Sequence, residues 1–330
     1  MKSCLRLSRR FTLHASLAAG ALGTALLTAP LVASAAEEPA AVRFAVPPWP
    51  GVTAKSELAA TLFEALGYKP RQKELGATIA YQALGENELD AYLAAWLPAQ
   101  QGMYDTATSG KDSLADLGTN VDGARLGFVV PDYVHAEGYT SGEDLCSKEL
   151  QEKAGGTIYS IEVGSGTSDL LAEMQENGTY CLDEWNLSET STSGMFSQAK
   201  STMDRNEWIV FYAWTPHWAT IEYDIEFLDD PEDAWGPDGG RSDVRTLASQ
   251  QFADSHPNAT RLLDQLIFTA EEQSEMISGL SYEDRPVEEV AMSWLKDHPA
   301  KVKAFLDGVT TRSGEPAWPV VKEKLDLPDA

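Results

Sequence analysis

Two periods of apolar spacing take turns along this chain. Residues 42–46, "VRFAV", read as a short strand running into the loop "PPWPG". Thr53 is then placed to cap "AKSELAATLFEALG", in which Leu58, Leu62, Phe63 and Leu66 recur at helical spacing until Gly67 stops the run. "YKPRQKEL" reads as a second strand, "TIAYQALGENEL" as a helix and "DAYLAAWLPA" as a third strand. That alternation predicts a parallel α/β sheet. It restarts downstream with "ARLGFVVPDYV" as a strand, "TIYSIEVGSGTSDLLAEMQENG" as strand, Gly loop and helix, and "EWIVFYAWTPHW" as a strand that includes Trp208. "IEFLDD" and the Pro/Gly/Asp-rich connection "PEDAWGPDGGRSD" follow. The remainder is mostly helical, through "RLLDQLIF", "AEEQSEMISGL", "PVEEVAMSWLKDHP" and "AKVKAFLDGV".

The first 35 residues stand outside this pattern. Lys2, Arg6, Arg9 and Arg10 precede an apolar, small-residue run that ends in Ala33-Ser34-Ala35, so residues 1–35 read as a secretory signal peptide cleaved near Ala35. In "SRRFTL" the Phe sits directly after the arginine pair, which leaves Sec and twin-arginine export open. Cys4 lies before the apolar run, so it is not a lipid-bearing cysteine. The reading is export as a free protein to a periplasm. Removing the leader takes four basic residues and no acidic ones, which moves the net charge from −26 to about −30. Such a surface excludes nucleic acid and anionic membranes as partners. The mature chain keeps Cys146 and Cys181, and an oxidising compartment favours a disulfide between them. The spacing of His135, His217, His256 and His298 offers no metal site.

Tryptophan placement changes the picture further. Trp49, Trp96 and Trp214 each fall just beyond the carboxyl end of an expected strand, with a proline within two residues. That edge of an open α/β sheet is where ligands bind. Trp294 belongs to a helical face, and Trp185, Trp235 and Trp318 to loops. Core packing of the three edge rings is the competing reading at this point. Several aromatic faces around one space suit a quaternary ammonium, which donates no hydrogen bond and sheds water cheaply. Three desolvated contacts at about 2 kcal/mol each give roughly 6, whereas micromolar binding needs about 8. A second polar anchor is therefore needed. Gly51 and Val52 lie where the chain enters a helix, and N–H groups at a helix start favour an anion. His217, close to Trp214, is a candidate donor or positive charge. In "VGSGTSD" (163–169) Ser165 and Thr167 either cap the following helix or line a pocket. That loop lacks the phosphate-loop ending, and Val163 and Thr167 stand where a hydrolase elbow needs glycine.

These residues resemble the substrate-binding proteins of glycine betaine/proline betaine/choline ABC importers. The segments "VPPWPGVTAKSELAATLFEALGY", "ELDAYLAAWLPAQ", "LGTNVDGARLGFVVPDYV", "TIYSIEVGSGT", "EWIVFYAWTPHW", "EFLDDPEDAWGPDGG" and "FADSHPNATRLLDQL" carry the resemblance in order along the chain. It implies a two-lobed α/β periplasmic binding protein fold of type II kind, each lobe a mainly parallel sheet flanked by helices. Residues 36–125 and 228–330 would form lobe 1 and residues 126–227 lobe 2, with ligand in the cleft. It also implies a cage of Trp49, Trp96 and Trp214, with a carboxylate held by the Gly51 and Val52 amides and by His217. Choline-specific relatives carry an Asp where this chain has Gly51, and a cage Tyr where it has Leu126. Glycine betaine or a close analogue is therefore the expected ligand, with choline or dimethylsulfoniopropionate as the alternative. The resemblance implies no catalysis and no cofactor, a monomer, and a membrane permease as partner. A secreted hydrolase would need a nucleophile, base and orienting acid, and no motif supplies them.

Overall fold

The strand β1 (Ala41–Val46) runs parallel to β2 (Lys69–Glu74) and to β3 (Ala91–Leu97), in the computed structural model, which describes residues 40–110 and 113–330. The leader read over residues 1–35 lies outside the described residues. The remaining strands are β4 (Ala115–Pro131), β5 (Thr157–Ser160), β6 (Asn186–Glu189), β7 (Val210–Thr215), β8 (Ile225–Phe227), β9 (Arg241–Ala248) and β10 (Phe268–Thr269). They form one sheet in the order β2-β1-β3-β9-β4-β7-β5-β6, with β8 and β10 also paired to β4. β5 is parallel to β6 and β7, so both ends of the sheet are parallel βαβ structure. The centre is antiparallel: β3 with β9, β9 with β4, and β4 with β7.

The central strand β9 replaces what the sequence suggested was a loop-to-helix transition. Its burial alternates, with Ser242, Val244 and Thr246 inward and Arg241 and Asp243 exposed. Polar residues on both faces conceal that strand from a hydrophobicity pattern. β4 is also longer than expected. Its first half crosses β9 with three register shifts, which bend it from one end of the sheet towards the other. Arg245 of β9 pins that half through an ion pair with Asp116 at 2.7 Å.

Helices flank the sheet, and two local starts differ from expectation. The first helix spans Pro50–Ala65 with Trp49 as its N-cap, so it begins before Thr53. Pro50 suits the first helical position because its missing N–H would have had no partner there. Thr53 Oγ1 instead donates back to the Trp49 carbonyl at 2.9 Å. Trp208 precedes β7 rather than lying within it. Its ring packs on Tyr139 at 5.1 Å and carries the Lys153 ammonium at 4.0 Å. Trp318, expected in a loop, lies in the helix Ala317–Leu325. Trp294 is buried on the helix Val287–Asp297 against Phe268. A disulfide joins Cys146 to Cys181, whose Cα atoms are 5.1 Å apart.

Candidate functional site

Three chain segments bring their tryptophans to one cavity. Trp96 and Trp214 are the last-but-one residues of β3 and β7, slightly inside the strand ends. The peptide bonds Leu97–Pro98 and Thr215–Pro216 that follow are both cis. Trp49 joins them from the start of the helix Pro50–Ala65. All three rings line the cavity and are 5–9% exposed. Tyr212 stands two residues before Trp214, on the same face of β7, and stacks on it at 5.5 Å. It also lines the cavity and supplies an aromatic wall that the sequence left unassigned. Leu126, at the place of a cage tyrosine in choline-specific relatives, pairs with Trp214 across the sheet and does not line the cavity.

Gly51 and Val52 form part of the wall in the helix's first turn, where N–H groups have no intrahelical acceptor. A Cβ on Gly51 would stand 2.5 Å from Nε2 of Gln273, on the helix Ala270–Ser281. Gln273 lines the cavity, is 2% exposed, and its Oε1 has no partner among the described residues.

Lys55 follows Gly51 by one helical turn and also faces the cavity, 1% exposed. Its ammonium donates to Asn120 Oδ1 at 2.5 Å. Burial pushes its pKa down to about 7. Neither Lys55 nor Gln273 was picked out from the sequence. A signal existed for the lysine, because position 55 lies on the same helical stripe as Leu58 and Leu62, where a charge does not belong without a reason.

The segment after β5 closes the cavity opposite the first helix. Trp49 Nε1 donates to Glu162 Oε1 at 2.6 Å. Gly164 and Gly166 both have positive φ, and the Gly164 carbonyl accepts from Thr78 N at 3.3 Å. A Cβ on Gly166 would lie 2.6 Å from Gln100 Cγ and 2.9 Å from the Ala99 carbonyl oxygen. Ser165 and Thr167 line the cavity. Ser165 Oγ also accepts from Ser168 N at 3.4 Å, so the loop's two expected roles coexist.

His217 is not part of this wall. It lines a separate cleft with Phe196 and Trp218, stacks on Phe196 at 4.4 Å and meets Trp214 at 4.5 Å. Its Nδ1 accepts from Ala219 N at 3.2 Å. Burial pushes its pKa down to about 3, so the ring is neutral at neutral pH, contrary to the positive charge considered from sequence. The wall carries four aromatic rings and, among the described residues, no carboxylate. It suits a cation without N–H or O–H donors, together with an anion near Gly51, Val52 and Lys55.

The family described as "Substrate binding domain of ABC-type glycine betaine transport system" matches residues 40–297. The "Glycine betaine/carnitine transport binding protein GbuC" of Listeria monocytogenes serotype 1/2a (strain 10403S) is 34% identical over 170 residues. That stretch is 51% of this chain and 55% of the Listeria protein, so it spans about half of that relative's length. Among solved structures, an "ABC-transporter choline binding protein in complex with choline" matches with TM-score 0.82 and 28% identity. The match covers 86% of this chain and 98% of that one. Lactococcal OpuAC, in its closed-liganded conformation with glycine betaine, matches with TM-score 0.72 and 25% identity, covering 81% and 99%.

Proposed function

The chain belongs to the family of substrate-binding domains of ABC-type glycine betaine transport systems, and on that premise we propose that it captures glycine betaine or a close quaternary ammonium analogue in the Trp49–Trp96–Trp214 cavity. The observation that carries this reading is the convergence of three buried indoles, from segments far apart in sequence, on a wall that holds no carboxylate among the described residues. A trimethylammonium group gains from π faces that are already dry and fixed. Tyr212 is the fourth aromatic wall, and the Gly51 and Val52 amides receive the carboxylate. His217 acts through Trp214, as a neutral ring packed against it.

Residues 36–125 and 228–330 form one lobe and residues 126–227 the other, with β4 crossing from one to the other. The hydrogen bonds Trp49–Glu162, Thr78–Gly164 and Gln100–Ser165 then hold the lobes closed over the ligand. Residues 1–35 direct export. The mature protein works in the periplasm as a monomer that delivers ligand to the permease of an importer, and it catalyses nothing.

Choline is the second reading, favoured by the likeness to the choline-bound structure. The partnerless Gln273 Oε1 would accept its hydroxyl. Calorimetric titration with glycine betaine, proline betaine, choline and dimethylsulfoniopropionate tests both. The first reading predicts tightest binding by a carboxylate-bearing ligand. Tightest binding by choline would replace it with the second, and no binding by any of the four would refute both.

A further inference from the structure

Lys55 is the one charged side chain in the cavity wall among the described residues. An ammonium has three N–H donors. One is used, on Asn120 Oδ1, and no carboxylate pairs with Lys55 among the described residues. The acceptor is fixed in place: Asn120 Nδ2 donates to the Leu93 carbonyl at 3.2 Å and to Thr246 Oγ1 at 2.9 Å, which turns Oδ1 towards the lysine. A buried ammonium short of acceptors is costly unless something anionic completes it. Side chains of a helix lean towards its N-terminus, so Lys55 shares a face with the free N–H groups of Gly51 and Val52.

Resting on the betaine reading of this cavity, we propose that Lys55 is a specificity-determining cation that pairs with the ligand's anionic group, so that the site takes zwitterionic ammonium compounds and repels simple monocations. The aromatic faces receive one end of the ligand and the lysine the other. A ligand with no anion would place a second positive charge in the same dry space.

The consequence is opposite pH dependence for two ligands. Binding of a carboxylate favours the charged lysine, so glycine betaine brings a proton with it above about pH 7 and binds more weakly as pH rises. Choline favours the neutral amine and binds more tightly as pH rises. Other titratable groups near the cavity do not mimic this between pH 6 and 9. Burial holds Tyr92 of β3 and Tyr212 of β7 protonated, and His217 neutral. Glu162 holds the Trp49 indole. The facing residues of β4, β9 and the helix Ala270–Ser281 are Asn120, Thr246 and Gln273, none of which titrates.

The test is calorimetry on the mature protein at pH 6, 7.5 and 9, with glycine betaine and choline, in phosphate and in Tris. Net proton uptake with glycine betaine at pH 7.5, and a betaine-to-choline affinity ratio that falls tenfold or more from pH 6 to 9, are expected. Lys55→Met should abolish both effects and cut the ratio tenfold or more at pH 6. Zero proton uptake with a flat ratio in the unaltered protein would overturn the proposal without relying on any variant. Trp214→Ala separates the two claims. If it loses glycine betaine while Lys55→Met keeps the parent's ratio, only the lysine assignment is wrong. If it binds glycine betaine as the parent does, the cavity reading itself is wrong.

Discussion

The indole N–H of Trp49 donates to the carboxylate of Glu162 at 2.6 Å, across 113 residues of sequence. It ties the segment after β1 to the segment after β5, and Glu162 Oε2 accepts further from Thr192 Oγ1 at 3.4 Å. The same ring that lines the cavity is thus held by the segment that closes it on the other side. A bond of this kind, to a charged acceptor, contributes about 1.5–3 kcal/mol when shielded from water.

Glu162→Ala should therefore lower affinity for glycine betaine roughly tenfold, chiefly through faster release, because on the two-lobe proposal this tie exists only in the closed form. Stopped-flow dissociation and small-angle scattering check this together. The parent should contract on saturation with ligand. An unchanged dissociation rate in Glu162→Ala would show that the bond does not hold the closed state.

His217 supplies a pH prediction. Its folded pKa of about 3 lies below the ordinary histidine value, so the unfolded chain binds the extra proton first as pH falls. Stability carried by the neutral buried ring is present above about pH 6.5 and is lost progressively towards pH 3. His217→Phe should flatten the dependence of Tm on pH between 6.5 and 4. An equally steep decline in this variant would mean that other groups govern acid sensitivity.

Thiol titration of denatured, unreduced mature protein should find almost no free thiol, because Cys146 is bonded to Cys181. Reduction should cost about 3–4 kcal/mol of stability for a loop of 35 residues. Two free thiols per chain would contradict the bridge.

The sequence showed the parallel ends of the sheet and the Trp-Pro strand ends, because both are local patterns. β9 was hidden, since Arg241, Asp243 and Arg245 alternate with Ser242 and Thr246 and leave little apolar period. Lys55 and Gln273 are hidden for a different reason. A polar residue on a helix's core stripe acquires meaning only when tertiary packing shows which space it faces. Tyr212 shares a face with Trp214 by the two-residue period of a strand, but only tertiary packing shows that this face opens onto the cavity. For His217, closeness in sequence to Trp214 is matched by contact in space, at 4.5 Å between ring centres. Burial neutralises it, however, and another cleft receives it.

The central claim is that the three indoles hold a quaternary ammonium rather than merely close a core. Calorimetric titration of glycine betaine into Trp214→Ala, beside the parent and with Tm measured on both, tests it most directly. Losing one desolvated cation–π contact should weaken binding by about 2 kcal/mol or more, roughly thirtyfold, while Trp214→Phe loses less. If Trp214→Ala stays folded and binds glycine betaine within about threefold of the parent, far short of that loss, the ring is packing and the account fails at its centre.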